Sequence, residues 1–525
     1  MNVERGTNTM LFSYDRIKSA DVKKMAKLRA SQAEYDYSQE ISCIPQVTVR
    51  EPNLNGRNVI VACIDSGIDI YSPEFQTVDG QTRIIGLWDQ TVNADEEKGF
   101  QPPEGYATGV YFSREQINTA LAAGRERGEE IVPSRDTSGH GTAVAGIAAG
   151  SLSGVAKQAD ILVVKLGVPL ENNFPRTTQL MRGIDFAVKE GLRRNRPVAI
   201  NVSFGNTYGD HRGESLLERF IDNASEIGKN VIVIGSGNEG ASNGHCAGRT
   251  EENRVIELTV GAYETGLSIQ YWKHFQDVFK LRIVSPGGEE VLLDSSRMET
   301  IRATLEQTEL LCFIGEPQPY SVNQEIYIDF IPSDRYINSG VWRLELIPVQ
   351  VVTGEYRFFL PSYVARNAGT GFLLPTPEVT LTIPSTALRA ITVGAYDGQR
   401  RSYADFSGRG YVYRYEEGRV TREGVPYGVA FSKPDLVAPG VGIRVPVPQG
   451  GYENVSGTSF ATPLVTGSAA LLMEWGIVRG NDPYMYGQRL KAYLIKGAVQ
   501  LPGYEVTPNG MTGWGALCVE GSLKG

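Results

Sequence analysis

The sequence predicts an α/β fold, a parallel sheet with helices on both faces, interrupted by an inserted all-β domain. Three observations carry this. First, from Asn58 onward short continuous apolar runs (59–64, 161–166, 198–202, 231–234) alternate with helix-patterned segments such as 178–193 and 215–228. Continuous apolar strands suit a sheet buried on both faces, and intervening helices supply its parallel crossovers. Second, between about 265 and 380 the period shortens to two, as in Phe279-Lys280-Leu281-Arg282-Ile283, Glu325-Ile326-Tyr327-Ile328-Asp329-Phe330 and Trp342-Arg343-Leu344-Glu345-Leu346. With the turn Ser285-Pro286-Gly287-Gly288 between two such runs, this stretch predicts an antiparallel, jelly-roll-like sandwich. Third, Val260-Gly261-Ala262-Tyr263 recurs as Val393-Gly394-Ala395-Tyr396, which suggests where the first fold pauses and resumes.

The chain therefore divides into an N-terminal extension (1–50), a first α/β part (51–263), the β insert (264–380) and a second α/β part (381–525). A smaller insertion, about 90–135, lies inside the first part. A length of 525 residues fits about two to four domains, and 41% hydrophobic with 21% charged residues is a globular composition. The formal net charge of −9 argues against a phosphate-backbone partner, and neither Lys/Arg-rich stretches nor zinc-ligand spacings appear. Nucleic acid is therefore not an expected partner, and nothing in the sequence indicates an oligomeric state.

Residues 1–45 are polar, with a helix-like charged piece at Val22-Lys23-Lys24-Met25-Ala26-Lys27-Leu28-Arg29. The start, Met1-Asn2-Val3-Glu4-Arg5-Gly6, lacks the apolar region of a secretory signal. No run of about 18 apolar residues occurs, the candidate at 464–478 being broken by Glu474. A soluble chain without a membrane segment is expected. The five cysteines (Cys43, Cys63, Cys246, Cys312, Cys518) are odd in number and widely scattered, so reduced, mostly buried thiols are expected. Cys63, inside the apolar run Val59-Ile60-Val61-Ala62-Cys63-Ile64, reads as a small core hydrophobe.

Three glycine-flanked segments bear the chemistry. In Ile64-Asp65-Ser66-Gly67-Ile68-Asp69 an acid follows a buried strand, at the edge where open parallel sheets place functional groups. Alone, Asp65 could equally cap a turn. In Ser138-Gly139-His140-Gly141-Thr142-Ala143 a base sits between two glycines and opens a small-residue helix. His140 is one of only four histidines, and its neighbouring glycines permit close approach of another chain segment. In Gly457-Thr458-Ser459-Phe460-Ala461-Thr462-Pro463 a hydroxyl stands where a glycine turn enters a long apolar helix, whose free N–H groups favour developing negative charge. An N-cap serine needs neither His140 nor Asp65, so the combination points to a nucleophile. Asn238 ends the strand Val231-Ile232-Val233-Ile234-Gly235-Ser236-Gly237 and can offer a side-chain N–H to an oxyanion beside the backbone N–H of Ser459.

Taken in the order Asp65, His140, Ser459, with Asn238, these segments resemble the subtilase family of subtilisin-like serine proteases, over roughly 55–263 and 381–520. The resemblance implies peptide-bond hydrolysis by a catalytic triad with an Asn oxyanion donor, on a protein or peptide substrate and with no cofactor needed for the chemistry. It also implies that Ser203, Phe204 and Gly205 form the edge that pairs with extended substrate, Phe204 through its backbone, and that Gly235, Ser236 and Gly237 wall the pocket. Calcium is common in that family, and Glu74 after Ser72-Pro73 matches a carboxylate-ligand position there; a solvated turn acid is the other reading. Within the family, Arg83-Ile84-Ile85-Gly86-Leu87-Trp88-Asp89-Gln90-Thr91, the β insert and Gly513-Trp514-Gly515 are similar to the clostridial-type germination proteases. Those carry a jelly-roll insert and activate a cortex-lytic enzyme in spores, which implies a spore or cell-envelope setting. Subtilase family members usually begin with a folding pro-segment, for which residues 1–50 are short. Some relatives are inactive pseudoproteases that bind or signal; the intact set here weighs against that alternative.

Overall fold

The computed structural model describes residues 37–50, 52–167, 176–317, 321–411, 414–416, 419–421 and 432–524. The helix-like piece expected at 22–29 lies outside them. The main sheet starts with β1 (Ile60–Asp65), β2 (Ile84–Asp89), β3 (Val110–Ser113), β4 (Asp160–Lys165), β5 (Val198–Val202) and β6 (Asn230–Gly235). After the insert it is completed by β7 (Ile391–Asp397) and β8 (Leu436–Pro439). The order across the sheet is β8-β7-β6-β5-β1-β4-β2, all parallel; β3 adds antiparallel beside β2, and the short strand Ser402–Tyr403 adds antiparallel to β7.

Both faces are covered, as the continuous apolar strands require. Along β1, Val61 and Cys63 pack into one cluster with helices α1 (His140–Ala149) and α4 (Thr458–Met473). Ile60, Ala62 and Ile64 pack into another with α2 (Thr177–Arg193) and α3 (Leu216–Ala224). The period-two side-chain alternation of a strand thus feeds two cores at once. Helix α4 runs on to Val478 and is long and apolar enough to cross a membrane, yet 83% of its most apolar stretch is buried inside the protein. It is the central core helix.

The insert is an antiparallel two-sheet sandwich. One sheet runs Glu290–Asp294, Val278–Val284, Gly340–Gln350, Arg254–Val260, Gly371–Phe372; the other runs Thr300–Leu305, Thr308–Ile314, Asn323–Pro332, Leu267–His274, Glu355–Phe359, His245–Arg249. Its strands therefore start at His245, earlier than the expected boundary at 264. The first copy of the repeated Val-Gly-Ala-Tyr phrase ends a sandwich strand paired with Gly340–Leu346, while the second lies in β7 of the main sheet. The phrase is shared, but its surroundings are not.

One expectation is overturned. Cys43 and Cys518 form a disulfide across 475 residues of sequence, with Cα atoms 4.9 Å apart. The fold brings the two ends together: Cys43 follows the helix Tyr37–Ile41, Cys518 caps the helix Val519–Leu523, and Val519 N donates to Ser42 O beside the bond at 2.9 Å. Cys63, Cys246 and Cys312 are free and buried, and burial pushes the Cys246 thiol up to about 11 and that of Cys312 to about 12.

Candidate active site

Asp65 ends the central strand β1 and is buried; its Oδ1 accepts from its neighbour Ser66 N at 2.7 Å and meets His140 Nδ1 at 2.7 Å. A carboxylate acceptor places the proton on Nδ1, which leaves Nε2 as the basic nitrogen of the neutral ring. Two glycines permit this approach. A Cβ on Gly141 would stand 2.1 Å from Gly67 O, and Gly67 itself takes φ +121°. The turn after Asp65 and the first turn of α1 are thus in direct backbone contact.

Asp136, absent from the sequence reading, fastens this junction. Its Oδ1 accepts from Ser66 Oγ at 2.8 Å and Gly139 N at 3.0 Å, while Oδ2 accepts from Thr142 N at 2.8 Å and Thr142 Oγ1 at 2.7 Å. Ser66 Oγ in turn accepts from Gly141 N at 2.9 Å. One carboxylate therefore takes the Gly139 and Thr142 N–H groups at the open N-terminus of α1 and ties the helix to the Asp65 turn.

Ser459 lies in the first turn of α4, 5% exposed. The ring of the next residue, Phe460, packs 5.5 Å from the His140 ring, centre to centre, so the imidazole adjoins the start of this helix. Pro463 stands inside α4 four residues beyond Ser459. It has no N–H to give the Ser459 carbonyl. That carbonyl accepts instead from Ser203 Oγ at 3.2 Å, and Ser459 Oγ faces Ser203 O at 3.5 Å. Asn201, wholly buried, holds the serine in place: its Nδ2 donates to Ser203 Oγ at 2.9 Å, and its Oδ1 accepts from Thr466 Oγ1 of α4 at 2.9 Å.

Asn238 approaches the same helix end. Its Oδ1 accepts from both Thr458 N and Thr458 Oγ1 at 3.0 Å. Because a backbone N–H can only donate, the oxygen faces Thr458 and the amide Nδ2 faces away, beside the cleft that Asn238 lines. This open cleft is also bordered by Ser203, Phe204, Gly205, Gly235, Gly237, Thr458 and Ser459. Ser236 is the exception among the residues expected there. It is fully buried, with its hydroxyl 3.3 Å from Ser407 Oγ. Phe204 sends its ring into the core shared with α2 and α3. Glu239, Ser362, Tyr363, Val364 and Thr382 also border the cleft, and no motif in the sequence singled them out.

Glu74 is not a solvated turn acid, because it is 1% exposed. Its carboxylate accepts from Leu152 N at 2.9 Å, Ser153 N at 3.2 Å, Ser153 Oγ at 2.6 Å and Tyr452 Oη at 2.6 Å. Both oxygens are thus occupied by protein donors, and no group of three or more potential ligand residues forms a metal site among the described residues.

The sequence pattern of the subtilase family matches residues 56–314 and 375–515. Among solved structures, the CspB protease of Clostridium perfringens is 33% identical with a TM-score of 0.82, covering 93% of this chain and 96% of that one. It agrees with the clostridial resemblance of the motifs. The subtilisin-like protease SBT3 of Solanum lycopersicum is 26% identical over 80% of this chain, and the PII-type proteinase of Lactococcus lactis subsp. cremoris is 23% identical over 83%. This chain spans 56% of the first of these relatives and 23% of the second. A subtilisin-like fold, the matched pattern and these relatives lead to one assignment: the chain belongs to the subtilase family of serine proteases.

Proposed function

We propose that this protein is a serine endopeptidase with Ser459 as nucleophile, His140 as general base and acid, and Asp65 as the group that orients His140. The 2.7 Å contact of His140 Nδ1 with Asp65 Oδ1, at the foot of the helix that carries Ser459, supports this reading above any other observation. Ser459 Oγ attacks the peptide carbonyl carbon while its proton passes to His140 Nε2. The oxyanion is met by Asn238 Nδ2 and the Ser459 N–H at the positive end of α4. Collapse breaks the C–N bond as His140 returns the proton to the leaving amine. Water then attacks the acyl-enzyme by the same route, releasing the acid and restoring the serine.

The clostridial motifs support a finer reading, processing of a spore-cortex hydrolase precursor in a spore or cell-envelope setting. The Cys43–Cys518 disulfide accords with an oxidising compartment. Incubation of purified protein with such a precursor should give one discrete cleavage. A fluorophosphonate probe tests the chemistry itself. The wild type should label covalently and hydrolyse peptides, and Ser459→Ala should remove labelling and lower turnover by about 10⁴–10⁶-fold. Folded wild-type protein that never labels would favour an inactive binding module instead.

A further inference from the structure

The helix Tyr37–Ile41 is docked with little apolar burial. It has five residues, too few to persist alone, and the residues it buries, Ser38 and Gln39, are polar. Tyr37 is 44% exposed and Ile41 half-buried. Tyr37 Oη donates to Gly398 O at 3.2 Å, Gln39 Nε2 to Ser153 O at 2.6 Å, and Val519 N to Ser42 O at 2.9 Å. The Cys43–Cys518 bond adds the covalent hold. Downstream the chain is anchored without it: Ile44, Val47 and Leu54 lie in the main core, and Glu474 Oε2 accepts from Asn55 N and Gly56 N, each at 2.6 Å. The bond also sits at a costly backbone position. Cys43 N donates to Glu40 O and Ile44 N to Gln39 O, both at 3.1 Å, which closes the helix with Cys43 at φ +55°. Glycine is the usual residue in that left-handed turn, so a cysteine there is strained and its surroundings must hold it.

This helix backs the turn that presents Ser459. Ile41 packs on the cluster of Tyr396, Val437, Leu501 and Ala516, and its Cδ1 would lie 2.4 Å from a Cβ on Gly398. Tyr396, on β7, accepts from Gly440 N at 3.0 Å through its carbonyl. Gly440 O in turn accepts at 2.8 Å from the N–H of Gly457, the residue that leads into Thr458 and Ser459. There is no slack along this line: a Cβ on Gly440 would fall 2.6 Å from Ala395 Cβ and 3.0 Å from Gly457 O. Contacts this close carry a displacement of the helix to the nucleophile turn, because packed interiors transmit strain.

We infer that the Cys43–Cys518 bond is a redox latch on the active site: a small thiol opens it, the helix Tyr37–Ile41 leaves its dock, and the turn ahead of Ser459 loses its support. The inference rests on the endopeptidase reading and adds its regulation. Cys43 is the half-buried partner and Cys518 is only 7% exposed, so the thiol approaches from the Cys43 side. Its thiolate attacks Cys43 Sγ, a mixed disulfide forms, and Cys518 departs as a thiolate that takes up a proton. A second thiol then attacks the small-molecule sulfur and releases Cys43 as the other thiol. Two small thiols thus give two electrons and two protons to the protein and leave as their own disulfide. Cys63, Cys246 and Cys312 are buried and take no part.

The test uses the full chain, oxidised, then treated with dithiothreitol below its melting temperature, then reoxidised. Intact mass after iodoacetamide should show no alkylated cysteine before treatment and two after it, and amide exchange should quicken over residues 37–43 but not in β1 or β5. Fluorophosphonate labelling of Ser459 should slow by about 5-fold or more, and peptide kcat should fall with KM nearly unchanged, both recovering on reoxidation. Cys518→Ala should label at the slow rate with or without thiol. Ile41→Ala, which keeps the bond and removes the packing on the Tyr396 cluster, should label slowly even when oxidised, and serves where the cysteine variant folds poorly. An opened bond with an unchanged labelling rate overturns the latch and leaves the endopeptidase reading standing. So does a bond that resists thiol in the folded chain, or a loss of labelling that only tracks loss of near-ultraviolet circular dichroism. A chain that neither labels nor cleaves in either state overturns both.

Discussion

The carbonyl of Ser459 is released by Pro463 and taken up by Ser203, while the oxygen of Asn238 is tied to Thr458, so two side chains outside the three-residue set hold the cleft edge to helix α4. Asn238 is the cleaner one to test. Removing a preorganised oxyanion donor costs about 10²–10³ in kcat, because the group acts on charge that develops only in the transition state. Asn238→Ala should therefore lose about that much in kcat with little change in KM. Thr458→Val, which keeps the backbone tether and removes the hydroxyl one, should lose less. A rise in KM at constant kcat would show that Asn238 binds substrate instead. At this scale much was legible. Asp65, His140 and Ser459 stand in glycine-flanked segments, and the glycines beside His140 already implied close approach. Asp136 and Asn201 were not, because a lone Asp or Asn shows its role only through the partners that folding brings.

Between elements, the crossing of the Asp65 turn with helix α1 is set by backbone contact, not by side-chain packing. Gly141→Ala would place a methyl carbon 2.1 Å from Gly67 O, and neither backbone can yield without moving Asp65 or His140. Overpacking of this kind typically costs about 1–3 kcal/mol. The variant should melt earlier and lose hydrolysis out of proportion to the fraction unfolded. Wild-type activity and melting temperature together would refute the close crossing. The main-sheet strands were recognisable because both faces are buried: every described residue of β1, β5 and β6 is buried. The segment Arg254–Val260 was misplaced for the opposite reason. Its apolar residues resemble those of β7, yet Arg254 and Glu257 face solvent, and its burial alternates as a sandwich strand requires.

Across the whole molecule, contacts distant in sequence hold the parts together, and these were least visible beforehand. The Cys43–Cys518 bond ties the first described helix to the last, and opening it with Cys43→Ser should cost about 2–4 kcal/mol, checked by denaturant midpoint with and without reductant. The insert is joined to the core through Phe359, whose ring stacks on His211 at 4.0 Å and on His245 at 4.4 Å. His211 meets the carbonyls of Leu381 at 2.6 Å and Thr207 at 3.3 Å, so one imidazole bridges both segments flanking the insert contact. Burial lowers its pKa to about 4, and burial, then the nearby His211 and Arg357, lower that of His245 to about 3. In the unfolded chain both would bind protons near pH 6.5. Between 6.5 and those values the unfolded state holds more protons, so stability is full above about 6.5 and falls as the medium is acidified. The loss should flatten below about 4 for His211 and about 3 for His245. Buried Glu218 and Glu325, each raised by burial to about 7, act in the opposite sense, because they take up protons while still folded. The informative quantity is therefore a difference. Replacing His211 and His245 together by Gln should make stability rise relative to the wild type as pH falls from 6.5 to 4, a gap worth about 3 kcal/mol from His211 alone. Parallel limbs for the two proteins in urea titrations at those pH values would mean that the histidines are already charged in the fold.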